Sequence, residues 1–160
     1  MNLYLLRHAK SSWESYRDDH ERVLSNRGRK DARTLGEYLC KNIINFENTL
    51  CSSSYRTRET ISIINKVSPY SIDEINYLDS LYHASSNKIK EIIQNHTNKN
   101  LLIVGHNPGI SELISELLKS NFIDYPTCVF AQFKLISQDI GNAEVKIIVR
   151  PKDKKIINLL

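Results

Sequence analysis

No part of this sequence is apolar over the roughly 20 consecutive residues that a membrane-crossing helix needs. The N-terminus lacks the charged start, apolar middle and small-residue cleavage site of a secretory leader, so no removed segment is expected. Cysteine is sparse. Cys40, Cys51 and Cys128 form no CxxC pair and no metal-ligand cluster, which excludes a disulfide framework and a zinc module. An odd number of unframed cysteines fits a reducing cytoplasm. There is no HExxH, no Asp-rich cluster and no Gly-rich phosphate loop, so metal hydrolases and P-loop NTPases are set aside. A cysteine phosphatase is excluded by one residue: Arg56 follows Cys51 one position too early, and Thr57 stands where the arginine should be. No metal and no cofactor is expected.

Charge of one sign is not concentrated either. The net charge of +4 is spread along the chain, and only Lys152, Lys154 and Lys155 cluster, which reads as a solvated tail. Neither nucleic acid nor a membrane is an expected partner. With 160 residues, 41% hydrophobic and 25% charged, the chain can bury a real core, and one domain over 1–160 is expected.

What is present alternates. Apolar runs at 2–7, 46–51 and 101–104 read as buried strands, with a short extended piece at 75–78. Between them lie helical patterns. Ser25 or Asn26 caps a helix over 27–41, Ser52 to Ser54 precede one over 55–66, Ser85 or Ser86 opens one to about residue 95, and Pro108 suits the first turn of another. Strands at 129–135 and 143–149 close the chain around a turn at Ile140-Gly141-Asn142. The pattern predicts an α/β three-layer sandwich: a mostly parallel central sheet with helices on both faces. The polar stretch 9–24 reads as a functional loop, with Trp13 and Tyr16 either packing it onto the domain, the favoured reading, or lining the pocket mouth.

Two strands end on histidine. Leu3-Tyr4-Leu5-Leu6 runs into Arg7-His8, and Leu101-Leu102-Ile103-Val104 into Gly105-His106-Asn107. In open α/β sheets ligands bind at the carboxyl ends of strands. Arg56 follows the second strand, and Arg22 lies in the loop after His8. Guanidinium forks and helix N-termini suit phosphate. The set points to a histidine nucleophile within an arginine clamp. Lys10 is a candidate for steering anions, and Asn107 for a phosphate contact.

Six ordered blocks carry a resemblance: 6–13, 22–28, 53–60, 81–85, 104–109 and 126–128. The chain resembles the histidine phosphatase superfamily, with its phosphoglycerate-mutase-like fold, and within it the SixA-type phosphohistidine phosphatases. The resemblance implies that His8 attacks phosphorus and that Arg7, Arg56 and His106 bind the phosphoryl oxygens. It also implies that Arg22 joins them from the first loop and that water hydrolyses the intermediate. The implied substrate is phosphohistidine in a phosphorylated protein, with a small phosphorylated metabolite as the alternative. A phosphate-binding module without turnover is the alternative of another class.

Two departures matter. Ala9 stands where the family tripeptide commonly has Gly, and His83 where those relatives often carry Glu. No carboxylic general acid is therefore assigned; Asp79, His83, Asp18 and Asp19 are candidates. An imidazole leaving group, with a free pKa of about 6.5, needs less help than an alkoxide. A site with weak acid machinery should favour phosphoramidates and activated esters.

Overall fold

The computed structural model describes residues 1–13, 18–69, 71–97, 99–136 and 140–160. Seven strands form one sheet: β1 (Asn2–Arg7), β2 (Asn48–Ser52), β3 (Ile75–Leu78), β4 (Asn100–Gly105), β5 (Phe130–Leu135), β6 (Ala143–Lys152) and β7 (Lys155–Asn158). Their spatial order is β3-β2-β4-β1-β5-β6-β7. The first four run parallel, and β5, β6 and β7 continue the sheet antiparallel.

The alternation along each central strand explains the layering. Leu3, Leu5, Leu101 and Ile103 face one side, where they pack with α3 (Ser86–Gln94) and α4 (Gly109–Leu117) through Ile89, Ile93, Ile110 and Leu113. Tyr4, Leu6, Leu102 and Val104 face the other, against α1 (Asn26–Lys41) and α2 (Tyr55–Val67) through Leu35, Leu39, Ile61 and Ile64. Buried on both faces, these strands read as continuous apolar runs. Ser25 caps α1 by accepting from the Gly28 amide at 3.1 Å. Ser54 holds the cap position of α2 without capping it, because its hydroxyl bonds Thr57 at 2.8 Å instead.

The C-terminal lysines are not a solvated tail. β6 extends to Lys152, turns at Asp153 and Lys154 (φ 51° and 62°), and returns as β7 on the sheet edge. The second strand also starts later than expected. Phe46 forms only an isolated bridge to Ile72, although its ring is buried against Tyr4 and Phe130.

The arrangement positions the site. β1 and β4 are neighbours in register, Arg7 opposite Gly105. The chain leaves β1 toward the α1 face and leaves β4 toward the α4 face. A crevice opens between two such adjacent strand ends. Gly109 opens α4 there, and a Cβ on it would run into the Ala84 carbonyl. Gly109→Ala is expected to lower stability by about 1–3 kcal/mol, the usual cost of overpacking, and to displace the 82–84 segment. Thermal melts of the variant would check the first effect.

Candidate active site

His8 sits just past β1 on a backbone fixed from three sides. Its N–H donates to the Gly105 carbonyl at 3.0 Å, and its carbonyl accepts from the Cys128 N–H at 3.0 Å. The next amide, Ala9 N–H, donates to Thr60 Oγ1 of α2 at 3.1 Å. The His8 side chain has its own constraint. Nδ1 lies 2.7 Å from the Ala9 carbonyl. A carbonyl can only accept, so Nδ1 carries the proton and Nε2 keeps its lone pair. Burial pushes the His8 pKa down to about 3, and Arg56, Arg7 and Arg22 push the same way against the Ala9 bond. At neutral pH the ring is an uncharged nucleophile.

His106 faces it, with ring centroids 5.1 Å apart. Its Nε2 is 2.8 Å from Ser52 Oγ. Its Nδ1 is buried without a partner, as is Nε of Arg7. Burial, then the proximity of His8 and Arg56, lowers the His106 pKa to about 2. Unpaired buried polar atoms are costly.

Two neutral buried histidines make the fold sensitive to acid. The unfolded chain takes up protons below pH 6.5, and folded His8 does so only near 3. Stability therefore falls as pH drops through that window, by about 1.4 kcal/mol per pH unit for each such group. His8→Asn is expected to show a shallower loss of melting temperature between pH 6.5 and 4 than the parent protein.

The arginines come from three elements. Arg7 Nη1 donates to the Tyr125 carbonyl and stands 3.6 Å from Asp124. Arg56, in the first turn of α2, is 3% exposed and donates to both the carbonyl and the carboxylate of Asp19. Arg22 is held by Ser11 Oγ, the Ser12 carbonyl and Asp19, and its guanidinium carbon lies 3.3 Å from the Trp13 ring centroid. Among the described residues these groups line a cavity of about 270 Å³ with Lys10, Ser11, Trp13, Asp19, His83, Asn107 and Thr127. Larger grooves of about 470 Å³ lie elsewhere, one lined by Met1, Ile93 and Leu135 and one by Arg29, Arg33 and Ile63. Neither brings histidines and arginines together.

The expected site residues His8, Arg7, Arg56, His106 and Arg22 thus converge. Lys10 reaches the cavity wall with an exposed side chain. Asn107 lines the cavity too, but its amide N–H groups go to Asp124 and the Tyr125 carbonyl, so it braces that segment beside Arg7 rather than offering a donor. The four candidate acids separate. Asp79 and Asp18 are exposed and outside the cavity lining. Asp19 is in the cavity, in the short 3-10 turn Asp19–Glu21, where it accepts from Tyr82 OH at 2.6 Å, Arg22 at 3.0 Å and His83 Nε2 at 3.1 Å. Desolvation raises its pKa, but those bonds and the Arg56 charge outweigh it and hold the carboxyl well below the usual carboxylate range. Asp19 is therefore an anion, not a proton donor. His83 lies beside it at φ 51°, a conformation histidine tolerates better than most residues. Of its two expected places Trp13 takes the pocket mouth rather than the packed one: it is 75% exposed and lines the cavity. Tyr16 lies outside the described residues. Ser52 was readable from sequence only as part of a capping run, and nothing in that run signals its bond to His106.

The description of the histidine phosphatase superfamily (branch 1) matches residues 3–81, the part holding His8, Arg22 and Arg56. A Mycobacterium leprae protein, ML1117, is 36% identical over 123 residues, which span 72% of each chain. The chain belongs to the histidine phosphatase superfamily. A Mycobacterium tuberculosis protein, Rv1276c, is 34% identical, and the match spans 68% of this chain and 66% of that one. The superfamily fold is shared at low identity with two SixA structures. One, from Agrobacterium tumefaciens and assigned as a phosphohistidine phosphatase SixA, has a TM-score of 0.81 and 24% identity over 94% of this chain and 97% of the other. The second, protein histidine phosphatase SixA complexed with tungstate, has a TM-score of 0.81 and 19% identity over 92% and 96%.

Proposed function

We propose that this chain is a metal-independent phosphatase that transfers a phosphoryl group to His8 Nε2 and then to water, acting on phosphohistidine in a protein. One observation carries the reading. The unprotonated Nε2 belongs to a ring that lines one cavity together with His106, Arg7, Arg22 and Arg56. A phosphoryl group there meets three guanidiniums, which bring charge to a transition state that needs positioning and electrostatic support above all. His8 forms the bond to phosphorus as the bond to the leaving group breaks. Water then attacks phosphorus and the electron pair returns to Nε2.

The size of the cavity supports a substrate whose bulk stays outside. About 270 Å³ is below the usual range for a small-molecule pocket. Tungstate, bound by the structurally similar SixA, is a tetrahedral oxyanion of the kind this clamp suits. Among the described residues no helix is long and apolar enough to cross a membrane, and Cys40, Cys51 and Cys128 are unpaired. A reducing cytoplasm suits such thiols.

The test is turnover of para-nitrophenyl phosphate in chelator, followed by a panel of phosphohistidine proteins and small phosphoesters. Release from both classes, fastest from a phosphohistidine protein, is expected. Preference for a small ester would move the substrate to a metabolite. Tight vanadate binding without any turnover would replace the enzyme with a phosphate-binding module.

A further inference from the structure

Asp19 is the one acidic side chain among the described residues lining the cavity. It introduces a negative charge into a clamp otherwise built for an anion. Its two oxygens are unequally used. Oδ2 accepts from Arg56 Nη2, Tyr82 OH and His83 Nε2, whereas among the described residues Oδ1 accepts from Arg22 Nη1 alone. A carboxylate oxygen takes about two donors, so Oδ1 keeps an acceptor position.

Burial gives the cavity a direction. His8 and His106 are 8% and 3% exposed and form its floor. The side chains of Asp19 and His83 are 42% and 53% exposed and form its mouth. In-line attack by His8 from the floor sends the leaving group toward the mouth, where Asp19 stands.

A carboxylate at that position repels the charge of an ordinary phosphate ester. It attracts a substrate that carries its own positive charge next to phosphorus. Phosphoramidates do so: the distal ring nitrogen of phosphohistidine, when protonated, presents an N–H⁺ beside the reacting bond. We propose that Asp19 is a specificity-determining residue whose Oδ1 accepts the N–H of a protonated nitrogen leaving group, so that the site selects phosphoramidates over phosphate esters. The inference rests on the proposed phosphatase activity and narrows its substrate class.

The step balances. His8 Nε2 bonds to phosphorus and the P–N bond breaks, its electron pair passing to the leaving nitrogen. The proton on the distal nitrogen stays there, so neutral imidazole departs and the positive ring charge moves to His8. No external acid is consumed. That agrees with a carboxyl held ionised by its neighbours, which can accept a hydrogen bond but has no proton to give.

The test compares kcat/KM for N-phosphoimidazole and para-nitrophenyl phosphate in the parent protein, Asp19→Asn and Asp19→Ala, each checked by thermal melt. The phosphoramidate-to-ester ratio is expected to fall by about tenfold or more in both variants, the scale of one charge-assisted hydrogen bond. A loss confined to stability, or an equal change for both substrates, overturns the selection and leaves Asp19 as a brace for Arg22 and Arg56. If either variant fails to fold, the parent decides alone: a ratio near one overturns the proposal. Absence of turnover of both substrates by the parent protein would remove the phosphatase reading itself, a distinguishable result.

Discussion

Replacing His8 with alanine is expected to cut turnover by about a thousandfold or more, the scale on which enzymes respond to loss of a nucleophile. The expectation follows from geometry. His8 Nε2 is the nitrogen left unprotonated by the bond from Nδ1 to the Ala9 carbonyl. The other ring of the pair, His106, has its Nε2 against Ser52 Oγ. The third imidazole on the cavity, His83, has its Nε2 3.1 Å from Asp19 Oδ2. Parent protein quenched during turnover should carry phosphate that is labile in acid and stable in base, and His8→Ala should carry none. The variant should still bind vanadate, since Arg7, Arg22 and Arg56 are untouched. Normal rates in His8→Ala would end the covalent mechanism.

The second large effect concerns Arg56. At 3% exposure its guanidinium is shielded from water, so each contact it makes to a developing charge is strong. Arg56→Ala is expected to cost about 3 kcal/mol or more in kcat, roughly 150-fold, as loss of a preorganised transition-state donor does. Arg56→Lys should recover little, because an ammonium cannot bond Asp19 and a phosphoryl oxygen in one plane. Two losses accompany the alanine change: the clamp loses a fork, and Asp19 loses two of its ties to α2, from its carbonyl and from Oδ2. Comparison of kcat with KM for an aryl phosphate separates them. A transition-state role lowers kcat and kcat/KM together.

How much of this was legible in the sequence depends on the range of the interaction. The strands that carry His8 and His106 were readable because both faces of β1 and β4 are buried, which leaves uninterrupted apolar runs ending abruptly in charge. α1 was readable from its apolar spacing and from Ser25. β7 was not: Lys155-Ile156-Ile157-Asn158 is short, lies on an exposed edge, and gains its pairing only from β6. The role of Asp19 was hidden for a different reason. Asp18 and Asp19 are adjacent and chemically alike, and what separates them is contact with Arg56, Tyr82 and His83, residues 37 to 64 positions away. Trp13 was misjudged because aromatic content suggests packing, whereas its ring is covered by a guanidinium rather than by apolar neighbours.

The clamp draws one group from each of several distant stretches: Arg7 at the end of β1, Arg22 before α1, Arg56 on α2 and His106 after β4. A nascent chain that stops short of β4 has the first three but no opposing ring and no carbonyl of Gly105 to seat the nucleophile. Affinity for vanadate or phosphate therefore reports completion of the polypeptide rather than formation of any local piece. Added oxyanion should slow global opening of the native molecule and leave the fraying of β7, far along the sheet, untouched.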